Sequence, residues 1–196
     1  MNQRGIKKAF RSAAVLSIFA LGACDDDGTG PGLGLTPEDV AGVYEICTLT
    51  FDPAGTIVPP IDILQTFEFP GGVRNPQLGL DPNSQQTFEL TFIPKGQVTD
   101  RELRGTYRIR GATTVELRFN ASGVDPKTLL IPENRQLSFE FQASPLRLWT
   151  EGSAEYTVTR EAYVALSDLD PDELKNLQAT ISGVLIADFR SDGCGG

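Results

Sequence analysis

The stretch GTYRIRGATTVELRF at residues 105–119 alternates apolar and polar side chains on both sides of a Gly111-Ala112 turn. Alternation with a period of two is typical of a half-buried β-strand, because successive side chains of a strand point to opposite faces. Two such runs joined by a short turn that contains glycine predict a β-hairpin. Each strand carries apolar residues on one face and arginines on the other. The hairpin therefore predicts a sheet with one buried face and one solvated face.

Runs on both sides of this hairpin alternate in the same way and predict the remaining strands. These strands cover about residues 42–51, 61–69, 87–93, 128–132, 136–143, 145–150, 153–166 and 180–189. In the first strand the alternation gives two opposite faces, Tyr44 and Ile46 on one, and Val43, Cys47, Leu49 and Phe51 on the other. Because most links are short turns, the sequence predicts an all-β fold: an antiparallel barrel of eight to ten strands, or alternatively a two-sheet sandwich.

Two segments depart from the strand pattern. Residues 70–86 carry the turn pairs Gly71-Gly72 and Asn75-Pro76, so we expect a surface loop and a candidate lid over an open barrel end. Asp170-Pro171 followed by Glu173 is typical of a helix N-terminus. A short C-terminal helix is therefore predicted from residue 170 to about residue 179.

Residues 1–23 have the organisation of an export signal, with basic residues first and then an apolar run from Ala13 to Ala23. This run is too short to span a bilayer. The sequence Leu21-Gly22-Ala23-Cys24 resembles the bacterial lipobox, which implies cleavage before Cys24 and a diacylglycerol on its sulfur. A secretory signal with a chance cysteine is the alternative. The resemblance implies a lipid-anchored protein of a bacterial cell envelope, in either the inner or the outer membrane.

The remaining chain divides into an acidic, glycine-rich tether at residues 24–35 and one domain at residues 36–196. Without the signal it has 13 basic and 26 acidic residues, which gives a net charge of −13. Such a charge repels phosphate backbones, so nucleic acid is not expected as a partner. Attachment to a membrane would then come from acyl chains on Cys24 and not from basic side chains.

With Cys24 bonded to lipid, two cysteines remain, Cys47 and Cys194. An even pair in an oxidising compartment predicts one disulfide, which would close a loop of nearly the whole domain. The alternative is two free thiols in a reactive or metal site. That alternative needs a histidine or further cysteines nearby, and the chain has none.

The order of predicted elements resembles that of the lipocalin-like barrels, which have a short N-terminal helical turn, a first strand that opens with Gly-x-Trp, a meander and a late helix. Gly42-Val43-Tyr44 stands at the place of that motif, with tyrosine for tryptophan. The resemblance implies that Gly42 admits a close approach of the N-terminal turn and that Tyr44 plugs the closed barrel end. It also implies that an arginine, Arg190 by position, packs over the tyrosine ring.

The sequence contains no recognisable catalytic set. Histidine, the commonest general base and metal ligand, is absent. Motifs for a nucleophile elbow, a phosphate loop or a dinucleotide site are absent as well. Several charged residues on predicted strands alternate out of phase with their apolar neighbours and are expected to face solvent: Glu89, Glu116, Glu140, Arg108, Arg110 and Arg118. We therefore predict that the protein is not an enzyme and uses no cofactor or metal.

Two functions remain as hypotheses. A barrel tethered near lipid could carry a small hydrophobic ligand, with Trp149 and the phenylalanines lining a cavity at the barrel mouth. Alternatively, these side chains fill the interior, and the domain is an interaction or structural module that binds an envelope protein through its surface. A cavity below about 300 Å³ would count against the carrier. The sequence alone favours the carrier slightly, because the predicted anchor places the barrel next to lipid.

Overall fold

Ten antiparallel strands and two short helices make up the described part of the chain. The computed structural model describes residues 34–55, 58–69, 76–121, 125–132, 134–150, 155–167, 170, 172 and 178–195. The helices are α1 (Pro37–Val40) and α2 (Arg160–Leu166). The strands are β1 (Gly42–Pro53), β2 (Ile61–Asp62), β3 (Gln77–Asp81), β4 (Thr87–Phe92), β5 (Arg101–Arg110), β6 (Thr114–Phe119), β7 (Gln136–Ala143), β8 (Leu146–Trp149), β9 (Tyr156–Thr159) and β10 (Thr180–Arg190). Neither helix is long and apolar enough to cross a bilayer.

Eight of the strands close into a barrel. The ring runs β1, β3, β4, β5, β6, β7, β8 and β10, and it closes because β10 pairs with β1. The other two strands extend the wall: β2 pairs with β1 beyond the end of β3, and β9 pairs with β10 beyond the end of β8. The predicted antiparallel barrel is therefore confirmed, and the architecture is not the alternative two-sheet sandwich.

A β-bulge at Cys47 changes the phase of β1. Ile46 lies opposite Phe189 and Thr48 lies opposite Asp188, so β1 has one residue more than its partner at this point. A bulge of this kind moves the following side chains to the other face. Tyr44 and Ile46 before the bulge and Leu49 and Phe51 after it are consequently all buried in the interior. The predicted separation of these two pairs onto opposite faces is wrong, because strict alternation does not survive the extra residue.

The predicted loop at 70–86 contains a strand of the barrel wall. Residues Gln77–Asp81 pair with both β1 and β4, and Leu78 and Leu80 are buried. Turn residues on both sides of this strand make the sequence typical of a loop. The candidate lid is thus wrong for residues 77–81, and residues 70–75 lie outside the described part of the chain.

Three predicted strands are largely turns and helix instead. Of residues 61–69, only Ile61–Asp62 form a strand. The Asp62 carboxylate accepts a hydrogen bond from the Leu64 amide (3.1 Å), and this contact starts a 3₁₀ turn. Residues 128 and 129 complete the 3₁₀ turn Pro126–Leu129, and residues 130–132 are not in a strand. Residues 153–166 contain β9 and then α2, whose first turn is capped by the Thr159 hydroxyl. The helix predicted at 170–179 falls mostly outside the described residues.

Two glycines allow aromatic rings to lie against the strands of the wall. A Cβ atom on Gly105 would overlap the carbonyl oxygen of Arg118 and the ring of Phe88. A Cβ atom on Gly183 would overlap the carbonyl oxygen of Asp52 and the ring of Phe51. Both rings point into the core, so these strands require glycine for steric reasons.

We predict that Gly105→Ala destabilises the barrel by about 3 kcal/mol, because the added methyl group displaces Phe88 or spreads β5 from β6. Gly79→Ala is the matched control. It also lies in a wall strand, but its added Cβ would meet only the Glu89 carbonyl oxygen at 3.8 Å. Urea unfolding should show a large drop in midpoint for Gly105→Ala and little change for Gly79→Ala. Equal midpoints for the two variants would contradict the proposed packing.

Candidate functional site

The barrel interior is apolar and nearly full. Among the described residues, no charged side chain is buried, and tyrosine is the only buried residue type with a polar side-chain group. The void between the walls measures about 20 Å³ and is lined by apolar residues of β1, β4, β6, β7 and β10 and of the segment around Leu129. Small-molecule pockets occupy about 300–1,000 Å³. The void enclosed by the described residues therefore has no room for a ligand of that size.

Helix α1 closes one end of the barrel. The Tyr44 hydroxyl donates a hydrogen bond to the Val40 carbonyl oxygen at 2.6 Å, and the Tyr107 hydroxyl donates to that of Pro37 at 3.4 Å. Both tyrosine rings are buried in the core. Their hydroxyls thus fasten a four-residue helix across this end.

The opposite end is closed by α2 and by the segment that follows Pro126–Leu129. The Tyr163 hydroxyl donates to the Pro59 carbonyl oxygen, and the Tyr156 hydroxyl donates to that of Leu130 at 2.7 Å. The two rings pack on Phe51 near the end of β1, with centroid distances of 6.3 Å and 5.5 Å. All four tyrosines of the chain therefore close barrel ends.

Burial raises the pKa of all four tyrosine hydroxyls, because the phenolate form would lose its hydration. For Tyr107 burial and the nearby carboxylates of Asp81 and Glu38 raise the pKa to about 12. Burial also raises the pKa of Tyr44, Tyr156 and Tyr163. The neutral hydroxyl is the hydrogen-bond donor at each end, so the closure requires the protonated form.

The residues of the Gly-x-Tyr motif lie at the α1 end, but their contacts differ in part from those that the resemblance implies. A Cβ atom on Gly42 would meet the Leu146 side chain of β8 at 3.3 Å, and no atom of α1 is among its near neighbours. Arg190 does not lie over the Tyr44 ring. It lies on the outer face of β10, where its guanidinium binds Asp188. The cause is alternation, since Phe189 takes the inward position at this end of β10.

A disulfide and a charge cluster fasten the outer wall near the C-terminus. The sulfur atoms of Cys47 and Cys194 are 2.13 Å apart, so the predicted pair is bonded. Arg147 and Arg190 lie directly opposite each other on β8 and β10, and both donate hydrogen bonds to the Asp188 carboxylate. Burial alone would raise the pKa of Asp188, but the two arginines outweigh it and hold the pKa below its usual value.

Other predicted residues also lie on the outer face. Trp149 belongs to this face and not to a cavity, and the Arg147 guanidinium lies 5.0 Å from the centroid of its ring. Two of the predicted solvent-facing glutamates form ion pairs, Glu89 with Arg104 at 2.8 Å and Glu116 with Arg110 at 3.7 Å. Cys24 lies outside the described residues.

A groove of about 490 Å³ opens at the end of the barrel that α2 closes. It lies between the 3₁₀ turn after β2, the residues that follow β4 and the C-terminus of α2. Its lining residues are Pro59, Pro60, Ile61, Asp62, Gln65, Thr66, Pro94, Lys95, Ala165, Leu166 and Ser167. The sequence gives no signal for this site, because its residues come from three segments and none belongs to a recognisable motif.

No protein-family model, curated protein or solved structure matches this chain.

We predict that the four tyrosines stay protonated in the folded protein well above pH 10, the ordinary pKa of the side chain. Because the folded pKa is raised, this stabilisation is fully present below pH 10 and is lost as the pH rises through the folded pKa. Stability should fall by about 1.4 kcal/mol per pH unit for each tyrosine that stays protonated in the folded state only. Absorbance at 295 nm after a rapid pH jump should show phenolate near pH 10 in urea and only at a higher pH without urea. Titration of the folded protein near pH 10 would contradict the closure of the ends.

Proposed function

We propose that this chain is a lipid-anchored, non-catalytic module of a bacterial cell envelope that acts through the outer surface of a filled barrel. The observation that carries the proposal is the interior void of about 20 Å³. Segments tied by tyrosine hydroxyls cover both ends of the barrel. A domain with this interior offers partners its outer surface.

The barrel also has the general form of a ligand carrier, which is the other function that the sequence predicts. A carrier needs a cavity that its ligand can enter, and the described interior is more than tenfold smaller than the threshold of about 300 Å³. Trp149, one of the expected lining residues, lies outside on β8. These two observations favour the module over the carrier.

The proposed anchor is joined to the α1 end of the barrel. Cys24 lies 12 positions before Thr36 at the start of α1, and a chain of that length spans at most about 40 Å. The groove lies at the other end of the barrel.

Membrane attachment should depend on the sulfur of Cys24. Intact-mass analysis of the membrane fraction should show loss of residues 1–23 and addition of a diacylglyceryl group, and Cys24→Ser should remove that lipid and release the processed domain. The double variant Cys47→Ser/Cys194→Ser is the control, because it loses the disulfide and keeps the anchor. A cleaved Cys24→Ser protein that stays in the membrane fraction would overturn the anchoring.

A further inference from the structure

The groove at the α2 end carries one acidic and one basic side chain, Asp62 and Lys95. Asp62 lies at the start of the 3₁₀ turn Ile63–Thr66, and Lys95 lies beside the end of that turn, where its amide donates to the Thr66 carbonyl oxygen at 2.8 Å. Within the described part of the chain, neither side chain has an ion-pair partner. The groove thus has one negative and one positive side chain, and these two side chains do not form an ion pair with each other.

The walls of the groove are fixed by hydrogen bonds that do not use these charges. The Tyr163 hydroxyl ties α2 to Pro59, and the amide of Glu68 donates to the Ile93 carbonyl oxygen at 2.8 Å. The hydroxyl of Thr66 donates to the Ile63 carbonyl oxygen, and that of Ser167 to the Val164 carbonyl oxygen. The lining hydroxyls are therefore engaged within the wall, while the Lys95 ammonium, the Gln65 amide and one Asp62 oxygen remain for a ligand.

The order and spacing of these three groups match a short extended peptide. A 3₁₀ helix rises about 2.0 Å per residue, so Asp62 and Thr66 are separated by about 8 Å along the turn. An extended peptide rises about 3.3 Å per residue, so two or three residues cover that length. Gln65 lies between the two charges, where its amide can both donate to and accept from a peptide bond. Three prolines and Leu166 supply apolar walls.

We propose that this groove binds a di- or tripeptide with both termini free, with the N-terminal ammonium at Asp62 and the C-terminal carboxylate at Lys95. The proposal rests on the surface-acting module above and names its ligand class. Pairing with the two termini would neutralise both charges, which form no ion pair among the described residues. It also restricts the ligand to short peptides, because a longer chain cannot place both ends in the groove.

The test is calorimetric titration of the purified full chain with Ala-Ala-Ala and with its N-acetylated and C-amidated forms. We expect the free peptide to bind and either blocked form to bind at least tenfold more weakly. Asp62→Asn should remove the penalty for acetylation, and it preserves the carbonyl oxygen that accepts from the Leu64 amide. Lys95→Met should remove the penalty for amidation, whereas Lys95→Arg should keep affinity within about threefold. Asp100→Asn, outside the groove, is the control and should change nothing.

Three results would overturn the proposal: no binding at millimolar peptide, equal binding of free and blocked peptides, or full affinity in both Asp62→Asn and Lys95→Met. None of these results changes the mass of the lipidated N-terminus or the contents of the barrel interior. Failure of the peptide site is therefore distinguishable from failure of the anchored module.

Discussion

The structure depends on one constraint, that a buried tyrosine hydroxyl needs a hydrogen-bond acceptor. Leaving such a donor unpaired in the core costs about 1–3 kcal/mol. Three tyrosines donate to the main chain of a segment that covers an end, and Tyr163, which belongs to the covering helix α2, donates to the Pro59 carbonyl oxygen. The covering segments are short, and α1 has only four residues. The hydrogen bonds from the tyrosine hydroxyls therefore hold these segments in place.

Closure at both ends determines what the barrel can do. With the ends covered and the interior filled by apolar side chains, the chemistry available to a partner lies outside. The wall carries ion pairs that are mutually satisfied, including two arginines that share the carboxylate of Asp188. In the groove beside α2, Asp62 and Lys95 form no ion pair with any described residue. The groove therefore offers one acidic and one basic side chain between apolar walls.

Sequence alternation predicts the strands that are long and uninterrupted, as in the hairpin of residues 105–119. It fails at Asp62, where a local hydrogen bond competes with the hydrogen bonds between strands. It also fails at Cys47, where an extra residue reverses which side chains face the core. It also misses β3, since the turn pairs Gly71-Gly72 and Asn75-Pro76 precede this strand. The groove has no sequence signal, because Asp62 and Lys95 are 33 positions apart and meet only when residues after β2 pair with residues after β4.

The central claim is that the barrel is a filled body whose interior carries no ligand. Native mass spectrometry of the full chain purified from its cells tests this most directly, with a second spectrum taken under denaturing conditions. We expect the same covalent mass in both spectra, with no apolar small molecule released on unfolding. A stoichiometric apolar compound that is present in the native spectrum and lost on denaturation would contradict it.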